Sequence, residues 1–344
     1  MKKDLLWLRK TILIAGIAII LSCSDHPKKV IVCWGDSLTA PHHSTGIKGK
    51  ASRLLKRNLA YPEYLSEIMG DEYEIINGGV GGETSLTIMA RQGAYPMKLA
   101  HDVVIFKTGE KQFETFVGNN DIDAFVSSYN GKNVTPLLQC GWDVSSPAQV
   151  NPCMINGKPF KLSSESKFWI EEETYKFEYN YYLHPEKEWI STDTIKAGSI
   201  ITTYAMQNLR DKYANIFFVG YNGGFDDVAE LITQIKAMIT FSKSNRYIVI
   251  SFHKPNNTIS TIARMKEMED SLQLTFGKHF INLRDYLVKR GLEDGGLTPT
   301  QEDRDSMSRG QVPPQLMTDG LHFTSVGYKE IATLVFKKMK ELDY

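Results

Sequence analysis

The chain of 344 residues is long enough for one large α/β domain or for a domain that carries an inserted module. Its hydrophobic content of 42% and charged content of 23% are those of a globular protein, which argues against a disordered or fibrous chain. Basic and acidic residues number 40 each, so the net charge is zero. This balance argues against a nucleic-acid partner, because binding to phosphates needs clustered positive charge.

The first 22 residues have the pattern of a signal peptide. Basic residues precede an apolar run over 12–21, which is shorter than the roughly 20 residues of a membrane-spanning helix. The run ends in Ile-Leu-Ser-Cys, which resembles a bacterial lipoprotein processing site and predicts that Cys23 is lipidated; plain secretion after cleavage near Ser22 is the alternative. We therefore expect an exported lipoprotein, in the periplasm or on the outer membrane, that touches the membrane only through its N-terminal lipid anchor.

Export would place the cysteines in an oxidising compartment, where disulfides form. Cys140 and Cys153 flank a Ser/Pro-rich stretch, and we expect them to pair, since closing so short a loop contributes about 3 kcal/mol. Cys33 lies in an apolar run and is expected to be a buried free thiol. No CxxC or HExxH spacing occurs, and His42 and His43 form an isolated pair, so the sequence predicts no metal site.

The first elements alternate between strand and helix. Residues 28–34 are apolar and β-branched, as expected for a strand buried on both faces. A helix is predicted over 61–70, where Pro62 suits the first turn and Gly70 the end. A second strand then runs into the glycines of 77–84 and a further helix. This order predicts a parallel sheet.

The stretch 93–200 breaks this alternation, because it is longer than one strand–helix–strand unit requires. Four aromatic residues there alternate with polar ones: Tyr175, Phe177, Tyr179 and Tyr181. The alternation predicts a strand whose aromatic face either forms the core of its own small sheet or stacks on sugar rings. Residues 167–173 and 188–205 also have strand-like patterns. We therefore expect an inserted β-rich module over 93–200.

The alternation returns in the last part of the chain. Strands are predicted over 215–220, 247–253 and 279–283, and helices over 226–242 and 258–275. Asp226 and Asp227 are expected to begin the first of these helices, and His253 is expected to be structural. A final amphipathic helix has an apolar stripe made by Ile331, Leu334, Val335 and Met339. Residues 23–92 and 201–344 together predict a three-layer α/β domain.

Three short motifs each follow a predicted strand: Gly-Asp-Ser-Leu at 35–38, Asn-Gly-Gly-Val-Gly-Gly-Glu-Thr at 77–84 and Gly-Tyr-Asn-Gly at 220–223. A fourth motif, Asp-Gly-Leu-His, lies at 319–322. Because the carboxyl ends of parallel strands meet at one edge of a sheet, the first three motifs should share a crevice, which the fourth must reach from a loop. No G-x-G-x-x-G, phosphate-loop or G-x-S-x-G motif occurs, which argues against nucleotide binding and the α/β-hydrolase architecture.

These motifs contain the residue types of a serine-based acyl transfer. A serine hydroxyl such as that of Ser37 needs a base, histidine is the usual base, and a carboxylate must hold the other ring nitrogen. Asp319 and His322 are three residues apart, which on a helical turn points both side chains the same way. Asn222 can donate a hydrogen bond to an oxyanion, and Gly82 lets its backbone N–H approach a substrate closely. Taken alone, Ser37 also suits a helix cap.

Together the four motifs resemble those of the GDSL/SGNH hydrolase family, and the resemblance covers residues 28–92 and 215–341. It implies a flavodoxin-like three-layer α/β/α sandwich with a parallel sheet. It also implies that Ser37 is the nucleophile and that Asp319 and His322 complete a catalytic triad.

The same resemblance implies an oxyanion hole made by the backbone N–H groups of Ser37 and Gly82 and the side-chain amide of Asn222. Gly223 stands where the family usually has a second acidic residue. The activity that the resemblance implies is that of a serine esterase, which hydrolyses an oxygen ester through an acyl-enzyme intermediate and needs no cofactor.

For the substrate we expect acyl groups, acetyl in particular, on carbohydrate, because an exported lipoprotein meets glycans. Two alternatives stay open. One is a lipid or phospholipid acylhydrolase with the same chemistry. The other is a non-catalytic glycan-binding lipoprotein in which the β-rich module is the working part.

Overall fold

The computed structural model describes residues 27–40, 59–108, 115–119, 122–135, 149–171 and 174–344. Its strands are, in chain order, β1 (Lys29–Gly35), β2 (Tyr73–Gly79), β3 (Met97–Leu99), β4 (Val103–Ile105), β5 (Thr115–Gly118), β6 (Phe125–Ser127), β7 (Cys153–Ile155), β8 (Lys158–Glu171), β9 (Thr174–Pro185), β10 (Asp193–Ile195), β11 (Ala214–Phe218), β12 (Tyr247–Ile250) and β13 (Phe280–Ile281). Its α-helices are α1 (Tyr61–Met69), α2 (Ser85–Gln92), α3 (Tyr204–Asn208), α4 (Val228–Ser242), α5 (Ile262–Phe276), α6 (Leu283–Lys289), α7 (Gly291–Asp294), α8 (Gln301–Ser308) and α9 (Ser325–Glu341).

A parallel sheet of five strands, in the order β13-β12-β11-β1-β2, forms the centre of the α/β fold. Strand β1 lies between β11 and β2, with Cys33 opposite both Ile216 and Asn77. Residues 31–35 of β1 and all of β11 are buried, which explains their almost uninterrupted apolar sequences. The predicted parallel sheet is thus confirmed, and Cys33 is a buried free thiol as expected.

The turn after β1 folds tightly back over the end of the strand. Gly35 ends the strand, and a Cβ there would lie 2.0 Å from Thr39 Oγ1, so only glycine fits. The N–H groups of Thr39 and Ala40 donate to the Asp36 carbonyl, and Asn77 on β2 donates through its side chain to the Thr39 carbonyl at 2.8 Å. These bonds fix the Asp-Ser-Leu turn at the carboxyl edge of the sheet.

Several helices begin at polar caps. Thr84 caps α2, Thr324 caps α9, and Asp227 caps α4 by accepting from the Glu230 N–H at 2.8 Å. Helix α4 therefore begins next to the predicted aspartates. Helix α5 begins at Ile262, four residues later than predicted, because Asn256 accepts backbone hydrogen bonds in a preceding loop and Thr261 provides the cap.

Segment 93–200 has antiparallel pairing, unlike the central sheet. Strands β5, β9, β8 and β7 form one sheet, and β8 and β9 are a long hairpin. The predicted aromatic strand lies in β9, where Tyr181 is buried and packs edge-on against Phe125 with ring centroids 5.7 Å apart. The side chains of Tyr175 and Phe177 lie outside the described part of the structure.

Two predictions for this segment, a strand-like stretch over 188–205 and a disulfide at Cys153, differ from the structure. The strand expected over 188–205 is reduced to β10, because a turn at Gly198 with φ +80° interrupts it and Thr203 caps α3. The Cys140–Cys153 disulfide is not formed at Cys153, which is a buried free thiol that donates to the Phe160 carbonyl at 3.3 Å. Burial raises the pKa of this thiol to about 12, so it stays protonated. Cys140 lies outside the described residues.

Several other predictions fall on residues that the structure does not describe: the signal peptide over 1–22, the lipidation site Cys23, and His42 and His43. Among the described residues no helix is both long and apolar enough to cross a bilayer. The same residues contain no group of His, Cys, Asp and Glu side chains arranged to hold a metal ion.

Candidate active site

Ser37 lies in the turn after β1, one residue beyond the buried Asp36. Its Oγ lies 3.0 Å from Nε2 of His322, within hydrogen-bonding distance across 285 positions of sequence. The Ser37 side chain faces a histidine rather than a helix terminus. The structure therefore brings together the two residues that the first and fourth motifs supplied.

Asp319 holds the other nitrogen of the His322 ring. Its Oδ2 lies 2.7 Å from Nδ1, while its Oδ1 accepts the backbone N–H groups of Leu321 and His322 at 2.9 and 2.6 Å. Burial alone would raise the pKa of Asp319, but these hydrogen bonds outweigh it and hold the pKa below its usual range. Asp319 is thus a carboxylate that orients His322 with Nδ1 as the donor and leaves Nε2 to accept a proton from Ser37.

The loop that carries Asp319 and His322 closes on itself. The backbone N–H of Thr318 donates to the His322 carbonyl at 2.7 Å, its hydroxyl donates to the same carbonyl, and Met317 bridges to Phe323. The two functional side chains therefore lie on a closed turn just before α9. The sequence suggested a helical turn here; the same orientation is produced by a loop whose centre is Gly320, at φ +74°.

Asp36, which directly precedes Ser37, is the buried residue of this turn. It is completely buried, its Oδ1 accepts the Leu38 N–H at 2.9 Å, and its Oδ2 lies 3.3 Å from the Asn222 side-chain nitrogen. Burial raises the pKa of Asp36 to about 7, and the nearby Glu83 carboxylate acts in the same direction. Asp36 therefore positions the nucleophile turn and the Asn222 amide.

Asn222 links the first three motifs. Its amide donates to Asp36 and, at 3.1 Å, to the Glu83 carbonyl in the second motif. The N–H and the hydroxyl of Ser85, the residue directly after the second motif, both donate to the Gly223 carbonyl of the third motif. The expected meeting of these motifs at one edge of the sheet is confirmed.

Gly82 lies at the exposed tip of the second motif, with φ +79°. This left-handed conformation favours glycine. Within the described residues, neither the Gly82 N–H nor the Ser37 N–H has a hydrogen-bond partner in the protein. Both groups are therefore left for a ligand or solvent, whereas the Asn222 amide is already bonded to the protein.

A buried ion pair between Glu83 and Arg91 holds the second motif in place. Arg91 on α2 binds the Glu83 carboxylate through two nitrogens, with the shortest contact 2.7 Å, and both side chains are about 2% exposed. The same guanidinium donates to the Gly78 carbonyl at 2.9 Å. The pair was not predicted from the sequence, where its only signal is an acid just before α2 and a base near the end of that helix, eight positions apart.

The segment 253–256 connects the third and fourth motifs and was also largely missed. The Lys254 ammonium donates to the Gly320 carbonyl at 2.6 Å, and the Asn256 amide donates to the carbonyls of Gly220 and Tyr221. His253 is buried, lies parallel to the Tyr221 ring and contacts Phe323. Burial lowers the pKa of His253 to about 3, so the ring packs as a neutral group.

Comparison with known proteins gives no assignment: no protein-family model matches the chain, and no curated protein matches it at a significant level. The resemblance to GDSL/SGNH hydrolases therefore stays a prediction from four motifs.

Proposed function

We propose that this protein is a serine esterase of the GDSL/SGNH type, which hydrolyses an oxygen ester through an acyl-enzyme intermediate. One observation carries the proposal: a continuous hydrogen-bonded series from Ser37 Oγ to His322 Nε2 and from His322 Nδ1 to Asp319, with distances of 3.0 and 2.7 Å. A serine, a histidine and a carboxylate in this sequence of contacts form the usual machinery for activating a hydroxyl nucleophile.

In the first half of the reaction Ser37 Oγ attacks the ester carbonyl carbon and His322 Nε2 takes the hydroxyl proton. His322 then gives this proton to the leaving alcohol oxygen as the carbon–oxygen bond breaks, which leaves the acyl group on Ser37. In the second half His322 takes a proton from water, the hydroxide attacks the acyl group, and Ser37 leaves with that proton. Asp319 stays ionised throughout and stabilises the imidazolium.

The oxyanion of each tetrahedral intermediate needs donors that are fixed in advance. The unpartnered N–H groups of Ser37 and Gly82 suit this role. Asn222 is a third candidate, and it would have to exchange one of its present acceptors, the Asp36 carboxyl or the Glu83 carbonyl, for the oxyanion. This exchange is feasible because the Asp36 contact is long, at 3.3 Å.

We also propose a three-layer arrangement, in which helices cover both faces of the parallel sheet. Helix α1 packs against α9, whereas α2 packs against α4 and α4 against α5, a grouping that supports one helical layer on each side of the sheet. Residues 93–200, with their antiparallel strands, would then be a module inserted between α2 and α3. We further propose acyl groups on carbohydrate as the substrate, and an N-terminal lipid anchor as the route to the membrane.

Hydrolysis of 4-nitrophenyl acetate by the purified protein tests the reaction class. The wild-type protein should release nitrophenol, and Ser37→Ala should lose about 10⁴-fold or more of kcat. Ser66→Ala, an exposed serine on α1, is the matched control and should keep full activity. Mass spectrometry of acid-quenched samples should find an acetyl group on the peptide that contains Ser37. Equal rates in the wild-type protein and Ser37→Ala would refute the proposal.

A further inference from the structure

The segment 253–256 follows strand β12 and contacts two of the motifs that form the candidate active site. Strand β12 is the neighbour of β11 in the sheet, so its carboxyl end lies beside the third motif, which follows β11. The turn that carries Asp319 and His322 contacts the same segment. One short segment therefore touches both the loop of the candidate oxyanion donor and the loop of the candidate base.

We propose that segment 253–256 fixes the position of Asn222 relative to His322, and that Lys254 and Asn256 are positioning residues for the reaction. Both would act through the two loops that they hold and not on the substrate itself. The inference rests on the esterase function proposed above and adds to it the residues that align the oxyanion donor with the base.

Asn256 holds the third motif. Its side-chain amide donates to the carbonyls of Gly220 and Tyr221 at 3.1 and 2.8 Å, and Tyr221 directly precedes Asn222. Its side-chain oxygen accepts two backbone N–H groups of its own loop, at 3.0 and 2.7 Å. These four bonds hold the amide in one orientation, so the position of the backbone next to Asn222 follows that of Asn256.

Lys254 holds the turn of the fourth motif. Its ammonium donates to the Gly320 carbonyl at 2.6 Å, which is a short, charge-assisted hydrogen bond. Gly320 lies between Asp319 and His322. The bonds of Thr318 and Asp319 close this turn within itself, whereas the Lys254 bond joins it to the segment after β12.

His253 packs between the two loops. It is 1% exposed, its ring lies parallel to the Tyr221 ring with centroids 5.7 Å apart, and it contacts the Phe323 ring at 4.5 Å. Tyr221 precedes Asn222, and Phe323 follows His322. The neighbours of both functional residues therefore pack on one buried ring, and close packing of this kind transmits a displacement of one loop to the other.

The reaction requires both loops to act on one carbonyl group. The oxyanion donor must face the carbonyl oxygen while His322 faces first the Ser37 hydroxyl and then the leaving oxygen. A misplacement of about 1 Å can cost about 10²-fold in rate. Because Asn222 and His322 lie far apart in the chain, their relative position depends on tertiary contacts, and segment 253–256 supplies contacts to both loops.

The kcat for 4-nitrophenyl acetate tests this role. Lys254→Met and Asn256→Ala should each lower kcat about tenfold with little change in KM, because alignment acts mainly in the transition state. Release of either loop already frees their relative position, so the double variant should lose about 10–20-fold and not the product of about 100-fold. Lys254→Arg keeps a cationic donor and should stay within about threefold of the wild-type kcat.

Two controls replace exposed residues of the same types elsewhere. Lys266→Met on α5 and Asn208→Ala on α3 should keep full activity. Asn256→Asp is a second variant at the same position: it keeps the oxygen that accepts the bonds of its own loop but loses the amide donor to the third motif. It should lower kcat as much as Asn256→Ala, and the circular dichroism spectra of all variants should match that of the wild-type protein.

A kcat within about twofold of wild type in Lys254→Met or in both Asn256 variants would overturn the inference while leaving the esterase function intact. A double variant that loses the full product of the single losses would overturn it as well. An equal loss in Lys254→Arg and Lys254→Met would overturn the role of the hydrogen bond to Gly320. If the wild-type protein does not hydrolyse the ester, the esterase function itself fails, and the inference falls with it.

Discussion

Two aspartates flank the candidate nucleophile, and their surroundings shift their pKa values in opposite directions. Asp36 is fully buried, and burial raises its pKa to about 7. The side chain of Asp319 is 55% exposed, and hydrogen bonds from His322 and Leu321 hold its pKa below the usual range. The same residue type thus supplies a buried structural group with a raised pKa on one side of Ser37 and a carboxylate with a lowered pKa on the other.

This difference decides which aspartate can serve His322. An imidazolium is stabilised by an ionised carboxylate that contacts it, and Asp319 meets both conditions because its pKa is lowered and it lies 2.7 Å from His322 Nδ1. Asp36 is the nearer of the two to Ser37 in sequence, and it contacts the backbone of Leu38 and the Asn222 amide instead of the base. Position in the chain is therefore a poorer guide to chemical role than the number of hydrogen bonds that each carboxylate accepts.

The largest expected effect comes from removing the charge of Asp319. Asp319→Asn should lower kcat for 4-nitrophenyl acetate about 10⁴-fold, because a side-chain amide can hold the wrong tautomer of His322. The variant should keep the wild-type circular dichroism spectrum, since Asp319 lies on an exposed loop. Asp305→Asn is the control for an exposed aspartate. If Asp319→Asn kept activity within tenfold of wild type, His322 would not need the ionised carboxylate of Asp319, and the contrast in role between Asp319 and Asp36 would be lost.

The next largest effect is expected on stability, from breaking the Glu83–Arg91 ion pair. The Glu83 carboxylate of this pair helps to raise the pKa of Asp36. Arg91→Met should lower the free energy of unfolding by about 3–5 kcal/mol, because Glu83 would be left buried without its partner. Lys289→Met, which breaks the exposed pair with Asp285, should cost less than about 1 kcal/mol. Urea denaturation of both variants measures the difference. Similar losses of unfolding free energy in the two variants would show that burial does not determine how much the Glu83–Arg91 pair contributes to stability.

Asn222 contacts the buried aspartate and is the side-chain candidate for the oxyanion hole. Asn222→Ala should lower kcat about 10²–10³-fold with little change in KM, because an oxyanion donor acts mainly in the transition state. Asn208→Ala, an exposed asparagine on α3, serves as the control. Unchanged kcat in Asn222→Ala would limit Asn222 to a structural role beside Asp36.

The smallest effect is a change in the pH dependence of stability. Because the folded pKa of Asp36 lies above its unfolded value, the folded state binds more protons between about pH 4 and pH 7, and this group lowers the stability as the pH rises. Asp36→Asn should remove a slope of up to about 1.4 kcal/mol per pH unit in that range. Urea denaturation at several pH values measures this slope.

Asp303→Asn is the matched control for this slope. Hydrogen bonds from Thr300 and Gln315 outweigh burial and hold the pKa of Asp303 below its usual range. Asp303 is therefore ionised in both the folded and the unfolded state between about pH 4 and pH 7, and its replacement should leave the slope unchanged. An identical slope in the wild-type protein and Asp36→Asn would contradict the raised pKa of Asp36.

Local patterns predicted the parallel sheet, because β1 and β11 are buried and their sequences are almost entirely apolar. They also brought Ser37, His322 and Asp319 into one hypothesis, since short motifs at strand ends converge in this class of sheet. Long-range pairings were not predictable in the same way. The hydrogen bonds of Lys254 and Asn256 depend on which distant backbone carbonyls lie nearby, and no spacing in the chain encodes that.

The errors have a similar origin. Residues 188–205 have a strand-like composition, but the turn at Gly198 divides them: Asp193–Ile195 pair with β4, while residues 199–202 make only isolated pairings with β3 and β7. Cys153 was expected in a disulfide from its distance along the chain to Cys140, whereas its thiol in the structure points to the Phe160 carbonyl beside it. In both regions, composition and spacing did not reveal which backbone groups these residues contact.

The closed turn from Met317 to Phe323 has a consequence for how the site is assembled during folding. The acid and the base are joined within seven consecutive residues, and from outside this turn Lys254 also donates to the Gly320 carbonyl. Completing the site then requires this one turn to meet the Ser37 turn, rather than three separate side chains to find one another.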